Sequence, residues 1–324
     1  MKLVIEPPTL EEIRTARSRI ASAIARTPLV RLNVGEAPSP IYLKLENLQP
    51  IGSFKLRGAT NAMRLLPRDR LAQGVYTASA GNMAQGVAWS AREMGVPCSV
   101  IMPDRAPQTK LAAIERLGAA IVKVPFDRWW QVIVDHEFPG MKGCFIHPVA
   151  SSAVIAGNGT IGLEILEELP DVEAILAPFG GGGLTSGIAA AVKALKPDTR
   201  VFACEVETAA PLAASLAAGA PRWIDVIPSF VDGIGGRGIL EPMWPMVRRL
   251  VDGSLTVGVR EVADAIRLLV ERNQVVAEGA GATPVAAALA GKAPPGKVVC
   301  VVSGGNIDPH KLARILEGEI PPAG

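Results

Sequence analysis

Apolar strand-like runs alternate with helical patterns along most of the chain. The apolar runs are "GVYTA", "CSVIMP", "AAIVKVP", "AILAP", "RVFACEV" and "KVVCVV", and helical patterns such as "MAQGVAWSAREMG" and "LTSGIAAAVKAL" stand between them. Strands that are apolar throughout, rather than at every second residue, are typical of parallel sheets covered by helices on both faces. The sequence therefore predicts an α/β fold with mostly parallel sheets.

Size and charge narrow the class of protein further. With 324 residues, 49% of them hydrophobic, the chain can bury a large core and is expected to divide into two domains. A net charge of +2 without basic clusters argues against nucleic acid or an anionic membrane surface as a partner and favours a small molecule. The first residues, "MKLVIEPPTLEEIRTA", lack the apolar stretch of a signal peptide, no later run is long enough to span a bilayer, and we expect cytoplasmic residence.

Three turns rich in small residues directly follow predicted strands. They are Ser79-Ala80-Gly81-Asn82, Gly180-Gly181-Gly182-Gly183 and Ser303-Gly304-Gly305-Asn306. Ligand sites in open α/β sheets lie beyond the carboxyl ends of the strands. These turns are therefore the first candidates for a functional site.

The four consecutive glycines indicate a phosphate site. Glycines between a buried strand and an Ala-rich helix let the backbone approach a ligand, and the helix N-terminus then presents unpaired N–H groups to it. The alternative is a tight turn, although four glycines exceed what a turn needs. Neither the GxGxxG register nor the Lys-Ser/Thr ending of a P-loop is present in "GGGGLTSG". The remaining common phosphate-bearing cofactor held by a lysine is pyridoxal phosphate.

Lys55, in "GSFKLRG", is the candidate lysine. It follows Ser53, a good N-cap residue, and is predicted to lie in the first turn of a helix. There the helix dipole and nearby Arg57 both disfavour the ammonium form, and a partly neutral amine can form a Schiff base with an aldehyde. A solvated surface charge is the alternative, which the local residues alone leave open.

Seven blocks of sequence together resemble one enzyme family. The chain is similar to the fold-type-II pyridoxal phosphate enzymes (tryptophan synthase β-like), specifically the threonine and serine dehydratase group that also contains serine racemase. The blocks occur in family order over almost the whole chain; they are "TPLVRL", "YLKLENLQPIGSFKLRGATNA", "TASAGNMAQGVA", "VIAGNGTIGLEIL", "FGGGGLTSGIAAA", "VAEGAGA" and "VVSGGNID".

The resemblance implies a two-domain architecture of open, twisted, mostly parallel sheets. Residues 1–71 and 148–324 are expected to form the larger, cofactor-binding domain, and residues 72–147 the smaller one. The resemblance also implies a homodimer.

Roles for individual residues follow from the same resemblance. Lys55 would carry the cofactor and remove the α-proton of the substrate, with Phe54 beside the cofactor ring and Asn82 bonded to its phenolic oxygen. The cofactor phosphate would be held by backbone N–H groups of Gly180, Gly181, Gly182, Gly183 and Leu184. The substrate carboxylate would be held by the backbone of Ser79, Ala80, Gly81, Asn82 and Met83. Glu278 aligns with an acidic residue that the family keeps near the cofactor, or is a carboxylate at the surface.

Ser303 would face the pyridine nitrogen, and this position bears on the reaction. A hydroxyl, unlike an aspartate, does not hold a proton there, so the ring is a weaker electron sink. A short-lived carbanion favours loss of a β-hydroxyl over transamination. In the racemase a serine supplies a second acid/base, and that position here is Ala80, whose methyl group can neither donate nor accept a proton.

The predicted function is therefore β-elimination from a β-hydroxy amino acid such as L-threonine or L-serine, giving a 2-oxo acid and ammonia. The alternatives are a dehydratase of a bulkier substrate of the phenylserine or hydroxyaspartate type, a serine racemase, and a non-catalytic carrier of pyridoxal phosphate. The hypothesis of a bulkier substrate is based on Met83, where most relatives have histidine, and on the Trp129–Trp130 pair. The alternative role of this pair is to fill a domain interface.

No metal site is predicted. Glu205 and Ala209 match positions that supply ligands in some relatives, but Pro211 stands where a second carboxylate would be. The three histidines, His136, His147 and His310, suggest neither a zinc site nor a catalytic triad.

Overall fold

Two open sheets organise the molecule, and the computed structural model describes residues 4–105 and 108–323. The larger sheet has the strand order β1-β2-β10-β7-β8-β9. Only the β1–β2 pair is antiparallel, and the other neighbours are parallel. Its strands are β1 (Leu29–Arg31), β2 (Ile41–Lys44), β7 (Ala174–Pro178), β8 (Arg200–Val206), β9 (Gly253–Val257) and β10 (Val298–Val301).

The smaller sheet is parallel throughout, in the order β5-β4-β3-β6. Its strands are β3 (Val75–Ala78), β4 (Cys98–Pro103), β5 (Ala120–Val124) and β6 (Cys144–Phe145). The predicted α/β class with mostly parallel sheets is confirmed. All strands of this sheet fall within residues 72–147 and all strands of the other sheet fall outside them, which supports the proposed domain division without testing its boundaries.

Helices cover both sheets. They are α1 (Leu10–Ile20), α2 (Lys55–Arg64), α3 (Arg68–Leu71), α4 (Asn82–Met94), α5 (Gln108–Glu115), α6 (Phe126–Asp135), α7 (Ser152–Glu168), α8 (Gly183–Leu195), α9 (Pro211–Ala218), α10 (Trp244–Leu250), α11 (Val259–Asn273), α12 (Gly279–Leu289) and α13 (Pro309–Leu316). None of the helices in the described ranges is long and apolar enough to cross a membrane.

Small residues on α7 bring α2 and α8 into close contact with it. A methyl group on Gly157 would lie 2.5 Å from the carbonyl oxygen of Arg57 in α2, and one on Gly187 of α8 would lie 2.5 Å from the carbonyl oxygen of Ile155. Both distances are shorter than any real Cβ contact, so these helix pairs require glycine. Helix α7 thereby fixes the starts of α2 and α8, which carry Lys55 and the last of the four glycines.

Candidate active site

Hydrogen bonds join the turns that follow β3 and β10 to the segments that precede α2 and α12. The backbone N–H of Phe54 donates to the carbonyl of Ser303 at 2.9 Å, and the N–H of Glu278 donates to the carbonyl of Gly304 at 3.0 Å. The Asn82 side chain then donates to Oε1 of Glu278 at 2.8 Å, which links the smaller sheet to the larger one. Lys55, Ser303, Glu278 and Asn82 therefore share one site.

The glycine loop forms a cradle in which side chains have no room. Gly182 has φ +90° and caps α8 without a side chain. A methyl group on Gly181 would lie 2.6 Å from Cγ1 of Val149, and one on Gly182 would lie 3.1 Å from the Phe179 ring. The first turn of α8 thus offers backbone N–H groups and the positive end of a helix dipole to a ligand. These features fit an anionic group such as the phosphate of a cofactor.

Lys55 begins α2, and its backbone N–H donates to Oγ of Ser53 at 3.2 Å, so the predicted first-turn position is what the structure shows. Its amine donates to the carbonyl of Pro148 at 3.1 Å and lies 5.2 Å from the centre of the Phe54 ring. Burial lowers the pKa of the Lys55 amine to about 8, although the negative charge of Glu278 partly offsets this. About one tenth of such an amine is neutral at pH 7.

Arg57 does not lower the pKa of Lys55 by electrostatic repulsion, as was predicted. Its guanidinium is fully buried and donates to both oxygens of Glu46 at 2.8 Å and to Glu164 at 2.6 and 2.9 Å. Two carboxylates more than match its charge, and they raise its pKa although burial alone would lower it. The prediction that Arg57 disfavours the ammonium form was therefore wrong, because burial is what lowers the pKa of the Lys55 amine.

The pairs around Arg57 belong to a fully buried charge cluster beneath α2, made up of Lys44, Glu46, Arg57 and Glu164. Lys44 pairs with Glu164 at 2.8 Å, and Thr27 donates to Glu46 at 2.6 Å. Burial raises the pKa of Glu46, but the charge and hydrogen bonds of Arg57, the hydrogen bond from Thr27 and the charge of Lys44 together outweigh burial, so the pKa is lowered overall. The buried charge cluster holds α2 against α7. The buried charge cluster could have been predicted from the charged residues that stand inside the otherwise apolar blocks "YLKLEN" and "TIGLEIL".

The loop from residue 147 to 150 joins Lys55 to the glycine cradle. The Pro148 carbonyl receives the Lys55 amine, and Val149 packs against Gly181. Asn158 of α7 donates to the Gly183 carbonyl at 3.3 Å on the other side of the cradle. No sequence motif connected this loop with Lys55 or with the cradle, since "HPVASS" contains no glycine.

The substrate loop predicted after β3 is half-buried from Ser79 to Asn82. Oγ of Ser79 accepts the N–H of Gly81 at 3.2 Å, and Asn82 starts α4. The Met83 side chain is only 2% exposed and packs in an apolar cluster with residues of α2, α4 and α7. Its side chain therefore belongs to the core, and the idea that it lengthens a pocket wall stays a prediction.

Two further departures from the family pattern now have a location. Trp129 and Trp130 lie on α6. The Trp130 ring contacts Trp223, which lies in the segment assigned to the larger domain, edge to face with ring centres 5.6 Å apart. This contact fits the filling of an interface. Glu205 accepts the N–H groups of Leu212 and Ala213, both at 2.8 Å, and so caps α9.

Comparison with known proteins identifies the family. A family described as "Pyridoxal-phosphate dependent enzyme" matches residues 20–304. The chain belongs to this family. It is 41% identical to an L-threonine ammonia-lyase of Thermotoga maritima over 95% of this chain and 78% of that protein. It is 42% identical to an L-threonine ammonia-lyase of Geobacter sulfurreducens over 96% of this chain and 79% of that protein. The structure of maize serine racemase superimposes with a TM-score of 0.85 at 33% identity, covering 97% of this chain and 98% of that one.

In a pyridoxal-phosphate dependent enzyme, the glycine cradle is the candidate site for the cofactor phosphate. Gly180 to Leu184 would hold that phosphate, Lys55 would hold the aldehyde carbon, and Ser303, which is 1% exposed, follows the strand beside them. Hydrogen bonds join Phe54 to Ser303, Glu278 to Gly304 and Asn82 to Glu278, and the loop at Pro148 and Val149 connects Lys55 to the glycine cradle. Their individual roles remain predictions.

Proposed function

We propose that this pyridoxal-phosphate dependent enzyme is an ammonia-lyase that converts L-threonine or L-serine to a 2-oxo acid and ammonia. The observation that carries the proposal is a lysine amine of lowered pKa fixed beside a glycine cradle and the Ser79–Met83 loop. Relatives named L-threonine ammonia-lyase, identical at 41% and 42% of positions, support the substrate class.

Different residues of this chain would bind the substrate and move its proton. The backbone of Ser79 to Met83 would bind the substrate carboxylate, and the neutral amine of Lys55 would take the proton from Cα. Bound pyridoxal phosphate supplies the electron sink for the charge left at Cα. The β-hydroxyl leaves as water, and a second water molecule then hydrolyses the resulting imine, which releases the nitrogen as ammonia and supplies the keto oxygen of the product. The net products from L-threonine are thereby 2-oxobutanoate and ammonia.

Racemisation is the second candidate, since a serine racemase is among the similar structures. Ala80 argues against it, because a methyl group neither donates nor accepts a proton. The Ser79 hydroxyl is engaged locally with the N–H of Gly81.

The proposal is tested with purified protein reconstituted with pyridoxal phosphate. A panel of β-hydroxy amino acids, including phenylserine and hydroxyaspartate, is assayed for 2-oxo acid and ammonia, with a chiral assay for D-products. We expect equal amounts of oxo acid and ammonia from L-threonine or L-serine. Racemisation without oxo acid would overturn the reaction type, and loss of the visible cofactor band in Lys55→Ala would support the lysine assignment.

We also propose that the enzyme works as a homodimer in the cytoplasm. Exposed Leu48 and Val276 support an interface with a second copy, because the Asn47 side chain, donating to the Val276 carbonyl at 3.1 Å, holds their segments together. Sedimentation of the wild type and of a Leu48→Glu, Val276→Glu variant tests this. A monomeric wild type would contradict it.

A further inference from the structure

His147 is the most enclosed histidine of the described chain, at 4% exposure, and it lies in the loop that joins Lys55 to the glycine cradle. Its Nδ1 accepts two backbone hydrogen bonds, from the N–H of Val149 at 2.9 Å and from that of Ala150 at 2.7 Å. Its Nε2 lies 3.2 Å from the carbonyl oxygen of Ile133. All of its polar atoms therefore have protein partners.

These partners determine the tautomer. Two N–H donors point at Nδ1, so that nitrogen carries no proton, and a carbonyl can only accept, so Nε2 carries one. The imidazole is neutral, and the electrostatics agree. Burial, then the nearby charge of His136 and finally that of Lys55, lower the pKa of His147 to about 3, although the hydrogen bond to the Ile133 carbonyl opposes this. The His136 ring packs on it, with ring centres 4.3 Å apart.

The two bonds to Nδ1 shape the loop. A side-chain acceptor that takes the N–H groups two and three residues later closes a tight turn, as an asparagine does in an Asx turn. Pro148 between them has no N–H and a fixed φ, so every remaining donor of the turn is held by the imidazole. The carbonyl of Pro148 is thereby fixed, and this carbonyl accepts the Lys55 amine at 3.1 Å.

The other bond connects the loop to α6. The Ile133 carbonyl lies in the last turn of α6, where carbonyls lack partners within the helix, and His147 satisfies it. Val149, on the opposite side of the turn, packs against Gly181, and its carbonyl lies 3.4 Å from where a methyl on Gly183 would be. One imidazole thus sets the distance between the lysine, the cradle and α6.

We propose that His147 is a positioning residue that, through the fixed Pro148 carbonyl, holds the Lys55 amine in line with the cofactor site. The inference rests on the proposed role of Lys55. A misplacement of about 1 Å in such a site costs about 100-fold in rate, so the turn contributes to reactivity as well as to stability.

Two substitutions of His147 distinguish the contribution of the hydrogen bonds that close the turn from that of the hydrogen bond to α6. In His147→Asn the short amide presents its oxygen to the Val149 and Ala150 N–H groups and loses the bond to Ile133. In His147→Gln the longer amide can donate to Ile133 but cannot close the turn. Ser215→Ala is the control, because Ser215 is also buried, accepts a backbone N–H and donates to a backbone carbonyl, yet lies on α9 away from the site.

The rate at which each apo-protein develops the visible band with free pyridoxal phosphate is measured, beside thermal unfolding. We expect His147→Asn and Ser215→Ala to react within about threefold of the wild type and His147→Gln to react at least about tenfold more slowly. Equal rates for the two His147 variants would overturn the proposal. If His147→Gln does not fold, a His147→Asn protein slower than the wild type by about tenfold or more overturns it.

Nitrogen NMR of histidine-labelled wild type gives an independent reading. We expect the His147 signals to show the Nε2–H tautomer without titration between about pH 5 and pH 9. The opposite tautomer, or titration in this window, would overturn the proposal. Failure of the proposed function can be distinguished from failure of the His147 proposal. A wild type that forms no visible band contradicts the role of Lys55, whereas the tautomer measurement on His147 does not depend on that band.

Discussion

At the scale of single residues, the position of Lys55 could be predicted but the cause of its reactivity could not. "GSFKLRG" indicates a helix start through Ser53, which is what the structure shows. The sequence placed Arg57 nearby as a repelling charge, yet its partners, Glu46 and Glu164, come from other elements. Burial of an amine depends on the whole fold, so no local pattern could reveal it. The same holds for His147, whose partner Ile133 on α6 is assigned only by tertiary structure.

The lowered pKa of Lys55 predicts how cofactor uptake depends on pH. The neutral amine is the nucleophile, and its fraction rises as pH increases through its pKa of about 8. We expect the rate of band formation by apo-protein to increase about tenfold from pH 6 to pH 7 and to level off above pH 9. Stopped-flow absorbance at constant ionic strength measures it. A rate independent of pH between these limits would contradict the lowered pKa.

Ala80 predicts the stereochemical outcome. Ala80→Ser restores a hydroxyl where the resemblance to serine racemase requires one, and positioned proton transfer contributes about 100-fold or more. We expect Ala80→Ser to form D-serine from L-serine at least about 100 times faster than the wild type. Ala80→Gly, which changes the loop without adding a proton carrier, serves as the control. Equal D-serine formation by both variants would refute this role of position 80.

At the scale of elements, the apolar runs predicted six strands correctly, and four strands of the described chain were missed, namely β1, β2, β6 and β9. The runs correspond to β3, β4, β5, β7, β8 and β10. Strand β1 has three residues that are half-buried or exposed, and β6 has two residues, so neither carries an apolar run. Strand β2 has four residues and ends in Lys44, and in β9 the polar residues Ser254 and Thr256 alternate with apolar ones. The glycines of α7 were quoted as a family block, but their packing against α2 and α8 required the structure.

The buried charge cluster beneath α2 gives a prediction about stability. Arg57→Met leaves Glu46 and Glu164 without their main partner, and breaking a buried pair in this way costs about 3–5 kcal/mol. Arg17→Met is the matched control, because Arg17 pairs with Glu167 at the surface and is expected to cost at most about 1 kcal/mol. Urea unfolding measures both. Similar losses for the two variants would show that the cluster does not stabilise α2.

At the scale of the whole molecule, the site is completed only where the two sheets meet. The larger sheet supplies the glycine cradle, Glu278 and Ser303, and the smaller sheet supplies the loop that ends in Asn82. The resemblance of the seven sequence blocks to one family predicts that the cradle, Glu278, Ser303 and the loop ending in Asn82 form one site. It does not predict the side chains that join them, because hydrogen bonds across an interface depend on the relative placement of two units.

Asn306 is such a side chain, and it makes the junction testable. It donates to the Ile51 carbonyl at 2.8 Å and to Oδ1 of Asn82 at 2.7 Å, while Asn82 donates to Glu278. Asn82 is thereby held from two sides by the unit that carries the cradle. Since the loop before it is proposed to bind the substrate carboxylate in ground and transition states alike, loosening it should weaken binding more than chemistry.

We therefore expect Asn306→Ala to raise KM about tenfold, the equivalent of one or two hydrogen bonds, with kcat within about twofold and the visible cofactor band retained. Asn33→Ala is the control, because Asn33 is also an exposed asparagine that donates to a backbone carbonyl, that of Arg272, on a surface remote from the site. Steady-state kinetics with L-threonine measures both variants. A fall in kcat with unchanged KM would mean that Asn306 positions the reacting groups, and the two sheets would then cooperate in the chemical step rather than in substrate binding.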